Sequence, residues 1–251
     1  MPIHTPAVDY NHHDQPLTGM FAWDDTSSEK RPGVLVIHGG AGLDDHAKEQ
    51  ARRFAQLGYV AFACDMYGNG VAGNRQRVMS RITELRNDTA KLCGRASAGI
   101  DVLRQHPQVD DRLAAVGYCF GGMAVLELAR SGFDLMGAVS VHGTLGTPCR
   151  CQPDSVKARI LVCHGALDPH VSTEQVNAFI EEMKLARADW QLIMYGEAMH
   201  GFTHQCGPQI PGVAYHALSD ARSAKAMQNF FSELFTRSAH LDAVLSDNRK
   251  D

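Results

Sequence analysis

The sequence predicts an α/β fold with a mostly parallel central sheet and helices on both faces. Three observations carry that expectation. Short unbroken apolar runs, Val34-Leu35-Val36-Ile37, Leu113-Ala114-Ala115-Val116 and Ile160-Leu161-Val162-Cys163, read as strands buried on both sides, the habit of parallel sheets. Segments with apolar residues at helical spacing separate them. The runs lead into loops rich in glycine and histidine, and ligands of such sheets bind at the carboxyl ends of the strands.

In chain order, residues 1–25 read as a β-hairpin lead-in with His12-His13-Asp14-Gln15 as its turn. The strand Val34–Ile37 runs into His38-Gly39-Gly40. Residues 44–57 follow as a helix with Ala47, Ala51, Phe54 and Ala55 on one side, and Gly58 stands where a helix C-cap belongs. Tyr59–Cys64 is the next strand and ends at the turn-rich loop Asp65-Met66-Tyr67-Gly68. Residues 75–105 read as helix with a break near Gly94. Leu113–Val116 leads into Gly117-Tyr118-Cys119-Phe120-Gly121 and a helix over 122–130. Leu135–Val141 and Ile160–Cys163 are further strands, closed by His142-Gly143 and His164-Gly165. Ser172 is a fitting N-cap for a helix over 173–186. Trp190–Tyr195 is the last strand and residues 218–236 the closing helix. Beyond residue 238 the chain is polar and is expected to fray. Without repeats, linkers or low-complexity stretches, residues 1–251 read as one domain with its core at about 8–236.

The composition narrows the function classes. The chain has 251 residues, 44% hydrophobic and 21% charged, with a net charge of −4. This is ordinary for a globular protein, and the lack of a long basic run argues against nucleic acid as a partner. No apolar run approaches the ~18 residues of a membrane span, and the N-terminus does not read as a signal peptide. The seven cysteines are odd in number and sit mostly in apolar or helical contexts, so a reducing, cytoplasmic setting is expected. Cys149-Arg150-Cys151 lacks the second ligand pair that a zinc site needs and reads as a cysteine-bearing loop. No H-x-x-H or H-E-x-x-H arrangement is present, so hydrolysis by a metal is not expected. Pairing of two copies is left open.

Gly117-Tyr118-Cys119-Phe120-Gly121 spells G-x-nucleophile-x-G between a strand and a helix. A sharp strand-to-helix turn strains the backbone of its central residue, and its neighbours two positions away must be small. The central side chain then stands at a helix N-terminus, where backbone N–H groups favour negative charge. For a thiol this lowers the pKa, and the Phe120 N–H can serve an oxyanion. A buried cysteine in a tight turn would share this spelling, so partners matter. Asp168 follows the strand Ile160–Cys163, and His200 follows Trp190–Tyr195, in the order nucleophile, acid, base. Asp168 would orient His200, and His200 would take the proton of Cys119. His38-Gly39-Gly40-Ala41-Gly42 resembles an oxyanion loop, with the Ala41 N–H the first candidate donor and Gly40 the next.

With these motifs, the Asp65-Met66-Tyr67-Gly68 loop and His200-Gly201-Phe202 together, the sequence resembles the dienelactone hydrolase family over residues 8–236. The resemblance implies an α/β-hydrolase fold and hydrolysis of a small-molecule ester or lactone without metal or organic cofactor. It implies Cys119 as nucleophile, Asp168 as acid, His200 as base, and the Phe120 and Ala41 N–H groups as oxyanion donors. It also marks two departures. The family's dienelactone-cleaving enzymes carry a glutamate beside the nucleophile, at the position read here as Gly40. They carry a substrate-gripping arginine four residues after the catalytic histidine, where His204 stands. A second such arginine falls among Arg75, Arg77 and Arg81 without a clear choice. A related hydrolase with a different, less anionic substrate is expected, with Gly40, Tyr67 and His204 as candidate substrate-binding residues. A non-catalytic thiol sensor and a broad esterase or thioesterase are the alternatives.

Overall fold

The computed structural model describes residues 2–208 and 210–236. Its sheet has nine strands: β1 (Ile3–His4), β2 (Ala7–His12), β3 (Gln15–Asp24), β4 (Arg31–Ile37), β5 (Val60–Cys64), β6 (Val109–Tyr118), β7 (Gly137–Val141), β8 (Arg159–Gly165) and β9 (Trp190–Tyr195). Strands β4 to β9 are parallel, in the order β5-β4-β6-β7-β8-β9. The N-terminal strands close one side antiparallel, with β3 on β5 and both β1 and β2 on β3. The hairpin turn falls at His13-Asp14, with His13 in a left-handed conformation.

Helices cover both faces because each strand sends alternate side chains to opposite sides. On β4, Leu35 and Ile37 join one core with helices α2 (Arg75–Asn87), α3 (Thr89–Arg104), α4 (Phe120–Arg130) and α5 (Thr173–Leu185). Val34 and Val36 join the other, with α1 (Asp45–Gln56) and α6 (Ala217–Thr236). All four strand residues are fully buried, which places apolar groups of about 1.5–3 kcal/mol each in the central strand.

Two expectations change in detail. The segment 75–105 is two helices, and the break lies at Asp88 rather than near Gly94. Asp88 ends α2 and caps α3, its carboxylate accepting the Lys91 N–H at 2.9 Å. Gly94 sits inside α3 because a Cβ there would lie 2.5 Å from Nε2 of His12 on the hairpin. The helix after the glycine-flanked turn begins at Phe120 instead of residue 122. Ser172 caps α5 in a reciprocal capping box with Gln175. The polar tail after 238 lies outside the described residues. No described helix is long and apolar enough to cross a membrane.

Candidate active site

The loops after β4, β6, β8 and β9 carry the chemistry-bearing residues to one edge of the sheet. Cys119 sits between β6 and α4 at φ +53°, ψ −112°, a conformation that costs about 1–3 kcal/mol and persists only where the surroundings enforce it. The enforcement is steric and polar. A Cβ at Gly117 would lie 2.0 Å from the Gly121 carbonyl oxygen, and one at Gly121 would lie 2.2 Å from that of Ile37. The Cys119 N–H donates to the Val141 carbonyl at 3.0 Å and to Nδ1 of His142 at 3.1 Å.

Residues 119, 168 and 200, far apart in sequence, form one hydrogen-bonded line. His200 Nε2 is 3.0 Å from Cys119 Sγ, and His200 Nδ1 is 2.8 Å from Asp168 Oδ2. The Asp168 side chain is fully buried and its second oxygen accepts the His170 N–H at 2.9 Å. Burial pushes the Cys119 thiol up, but the hydrogen bond and charge of His200 and the N–H groups of Gly40 and Phe120 outweigh it, leaving the thiol below its usual pKa. Burial pushes His200 down, yet its bonds to Asp168 and Cys119 and their charges raise it to about 10. Burial likewise opposes ionisation of Asp168, and His200 more than compensates, so this carboxyl stays below its usual value. Each group thus shifts the others toward the charged form: the thiol and the carboxyl are lowered and the imidazole is raised.

Two amides converge on the sulfur. The Phe120 N–H comes from the first turn of α4, as expected, and the Gly40 N–H comes from the loop after β4. Ala41, ranked first in the sequence, is the exposed residue beyond it, so the amide this loop presents to the sulfur is that of Gly40. The glycine that faces the nucleophile is also one residue earlier than expected. A Cβ at Gly39 would lie 3.6 Å from Cys119 Cβ, whereas one at Gly40 would meet only Ile82 at 3.8 Å. His38 holds this loop. Its Nε2 accepts the Met66 N–H at 3.0 Å, which leaves Nδ1–H to donate to the Gly39 carbonyl at 2.7 Å. Tyr67 is fully buried, with its ring against His38 and Phe120 and its hydroxyl 3.4 Å from the Gly40 carbonyl. It supports the loop from behind and is not a surface for substrate.

His142 and His170 pack edge-on against His200, with ring centroids 5.5 and 5.0 Å away. His142 is buried, which holds it far below the usual histidine range, and Nδ1 accepts from Cys119. Its Nε2–H then donates to the Thr203 hydroxyl at 2.9 Å, and that hydroxyl reaches Nε2 of His46 at 3.2 Å. Thr203 and His170 carried no signal in the sequence, and Gly39 was visible only as part of the glycine loop. His142 was visible only as a residue closing the strand beside the nucleophile's strand. His204 does not face the sulfur line; its Nε2 pairs with Asp44 Oδ2 at 3.0 Å and its ring stacks on His46. Among the arginines of α2, Arg77 bonds the Gly70 carbonyl and Arg81 bonds Glu84 and Gln15. Burial and the charge of Cys119 raise the Tyr67 hydroxyl, and Arg86, a residue not singled out in the sequence, opposes them.

All seven cysteines are free thiols, and in the 149–151 loop the Cys151 thiol donates to Glu182 at 3.4 Å.

The chain is similar to known proteins over most of its described length. The profile of the dienelactone hydrolase family matches residues 18–235. A crystal structure of a dienelactone hydrolase-like promiscuous phosphotriesterase from metagenomic libraries superposes with a TM-score of 0.87 at 40% identity, covering 94% of this chain and 100% of that one. An uncharacterized Caenorhabditis elegans protein is 40% identical over 153 residues, 58% of this chain and 95% of its own. A Yersinia pestis protein that carries the provisional name carboxymethylenebutenolidase is 26% identical over 231 residues, 86% of this chain and 84% of its own.

Proposed function

The chain belongs to the dienelactone hydrolase family and is a hydrolase of lactone or ester bonds; from that premise we propose that it works through a Cys119–His200–Asp168 triad and a covalent acyl-thioester. The observation that carries this reading is the His200 Nε2 contact to Cys119 Sγ at 3.0 Å, backed by the Asp168 contact at 2.8 Å. The Cys119 thiolate attacks the substrate carbonyl, a carbon–sulfur bond forms, and the carbonyl π pair moves to oxygen. The N–H groups of Gly40 and Phe120 bind the resulting oxyanion. Collapse expels the alkoxide or enolate, which takes the Nε2 proton of His200. The now neutral His200 removes a proton from water, the hydroxide attacks the thioester carbonyl, and the thiolate leaves with the acid product released.

Leaving-group ability sets the substrate class. A tetrahedral intermediate with a poor leaving group expels the thiolate again, so enol esters, aryl esters and activated lactones are favoured. Gly39 leaves uncharged space beside the sulfur, where a carboxylate would repel the thiolate, and His204 is committed to Asp44. A neutral substrate therefore fits better than an anionic dienelactone. That same space favours a second reading, turnover of phosphotriesters, which are uncharged; the metagenomic relative is named a promiscuous phosphotriesterase.

The test is a panel of aryl esters, enol lactones, acyl thioesters and aryl phosphotriesters, run with Cys119→Ala and His200→Ala beside the native protein. Turnover of neutral esters, loss in both variants and an acyl adduct on Cys119 by mass spectrometry are expected. Fast alkylation of Cys119 without turnover of any class would instead mark a thiol sensor and overturn the reading.

A further inference from the structure

We propose that Asp44, His46 and His204, with Cys206 at the rim of the same cleft, form a binding site for one divalent cation of the zinc type, separate from the Cys119 line. One ligand atom from each of Asp44, His46 and His204 lies within 4.8 Å of the others. Imidazole nitrogens, a carboxylate and a thiol are the donor set that Zn²⁺ takes in four-coordinate sites. The three residues and Cys206 line one cleft of about 380 Å³. Its other charged walls are Asp45, Glu49 and Asp220 against a single arginine, Arg53, so the cleft favours a cation.

Asp44 and His46 are held in place by partners outside the cluster. Asp44 is fixed as the N-cap of α1, Oδ1 accepting the Ala47 N–H at 3.0 Å, which leaves Oδ2 turned to His204. His46 Nε2 accepts from the Thr203 hydroxyl at 3.2 Å and faces the Gln50 amide nitrogen at 3.3 Å, so Nδ1 carries the ring proton and must release it to bind an ion. His204 Nδ1 is buried and has no hydrogen-bond partner among the described residues. A purely structural His204–Asp44 pair explains Nε2 but leaves that nitrogen unexplained.

The two imidazoles are stacked, 4.5 Å between centroids and 11° apart. Parallel rings cannot aim their in-plane lone pairs at one ion, so one ring must turn on binding. His204 is the one free to do so, because it is a quarter exposed and its partner is Asp44, itself a ligand. Ligand atoms at zinc distances stand about 3.3 Å apart, so no pair has to close by more than about 1.5 Å. Cys206 is exposed, lines the same cleft two residues beyond His204 and lies outside the three-residue group, so its side chain would have to swing in to supply the fourth ligand.

The test uses the full chain carrying Cys119→Ser, so that the catalytic thiol cannot bind metal, after washing with chelator. Titration with Co²⁺ should saturate at one equivalent with the intense visible bands of a tetrahedral ion, and Zn²⁺ should displace it. His46→Gln and His204→Gln should each weaken binding by at least about tenfold. The thiolate-to-cobalt charge-transfer band should vanish in Cys206→Ser. Melting without metal checks that the variants fold. Absence of saturable Co²⁺ or Zn²⁺ binding, or binding unchanged in both histidine variants, would overturn the proposal.

Discussion

The backbone N–H of Cys119 donates to Nδ1 of His142, 3.1 Å away, while the edge of the same imidazole rests against His200. One neutral ring thus touches both the amide of the nucleophile and the flank of its base. His142 is itself in a left-handed conformation, φ +42°, next to the φ of +53° at Cys119. Two strained residues just past the ends of adjacent strands, β6 and β7, hold each other in place.

Replacing His142 by alanine should leave the Cys119 N–H with one acceptor and open space beside His200. The loss of a buried hydrogen bond costs about 1–3 kcal/mol, or several degrees of melting temperature at this chain length. Calorimetry checks it, and His142→Asn, which tolerates the backbone angles, should recover part of the loss. A melting temperature equal to the native one would mean that the contact carries no weight.

Alkylation of Cys119 by iodoacetamide should stay fast below the ordinary thiol range. The thiol pKa is lowered, so the thiolate is lost only as the pH falls through that depressed value. The imidazolium partner persists up to about 10. In His200→Ala the main lowering influence is gone and burial remains, so the inflection of the rate–pH curve should move above the ordinary thiol range. An unmoved inflection would show that His200 does not set the thiolate.

Asp168→Asn should keep the fold and lower kcat by about a thousandfold with little change in KM, because the amide favours the wrong His200 tautomer. Steady-state kinetics on the best ester of the panel measures this. A drop below tenfold would remove Asp168 from the orienting role.

Gly39→Glu is sterically allowed, since the new Cβ would stand 3.6 Å from Cys119 Cβ. Its carboxylate would sit beside the sulfur and raise the thiol pKa by like-charge repulsion. Alkylation at neutral pH should slow, with the thiolate absorbance shifted to higher pH.

Gly117→Ala and Gly40→Ala should behave in opposite ways. A Cβ at 117 meets backbone at 2.0 Å and cannot be relieved by a side chain, so that variant should not fold. A Cβ at 40 meets only the tip of Ile82 at 3.8 Å, so soluble, folded protein is expected. Yields and circular dichroism decide both.

The sequence by itself determined the parallel sheet, the order of its elements and the edge on which function gathers. Those properties are local: an apolar run such as Val34–Ile37 buries both faces wherever it lies, and Gly117 and Gly121 report a turn that only they can make. The line from Cys119 to Asp168 was legible because all three residues sit at strand ends in a fixed order. The tertiary structure alone decided which loop amide meets the sulfur and which glycine faces it, because a one-residue shift in a glycine loop leaves no trace in composition. It also decided that Tyr67 is a buried prop, and that Gly94 makes room for His12 instead of breaking a helix. The meeting of Asp44 and His46 with His204 was hidden for the same reason. Side chains some 160 positions apart become neighbours only when two loops at one sheet edge fold over each other, and no periodicity along the chain records that contact.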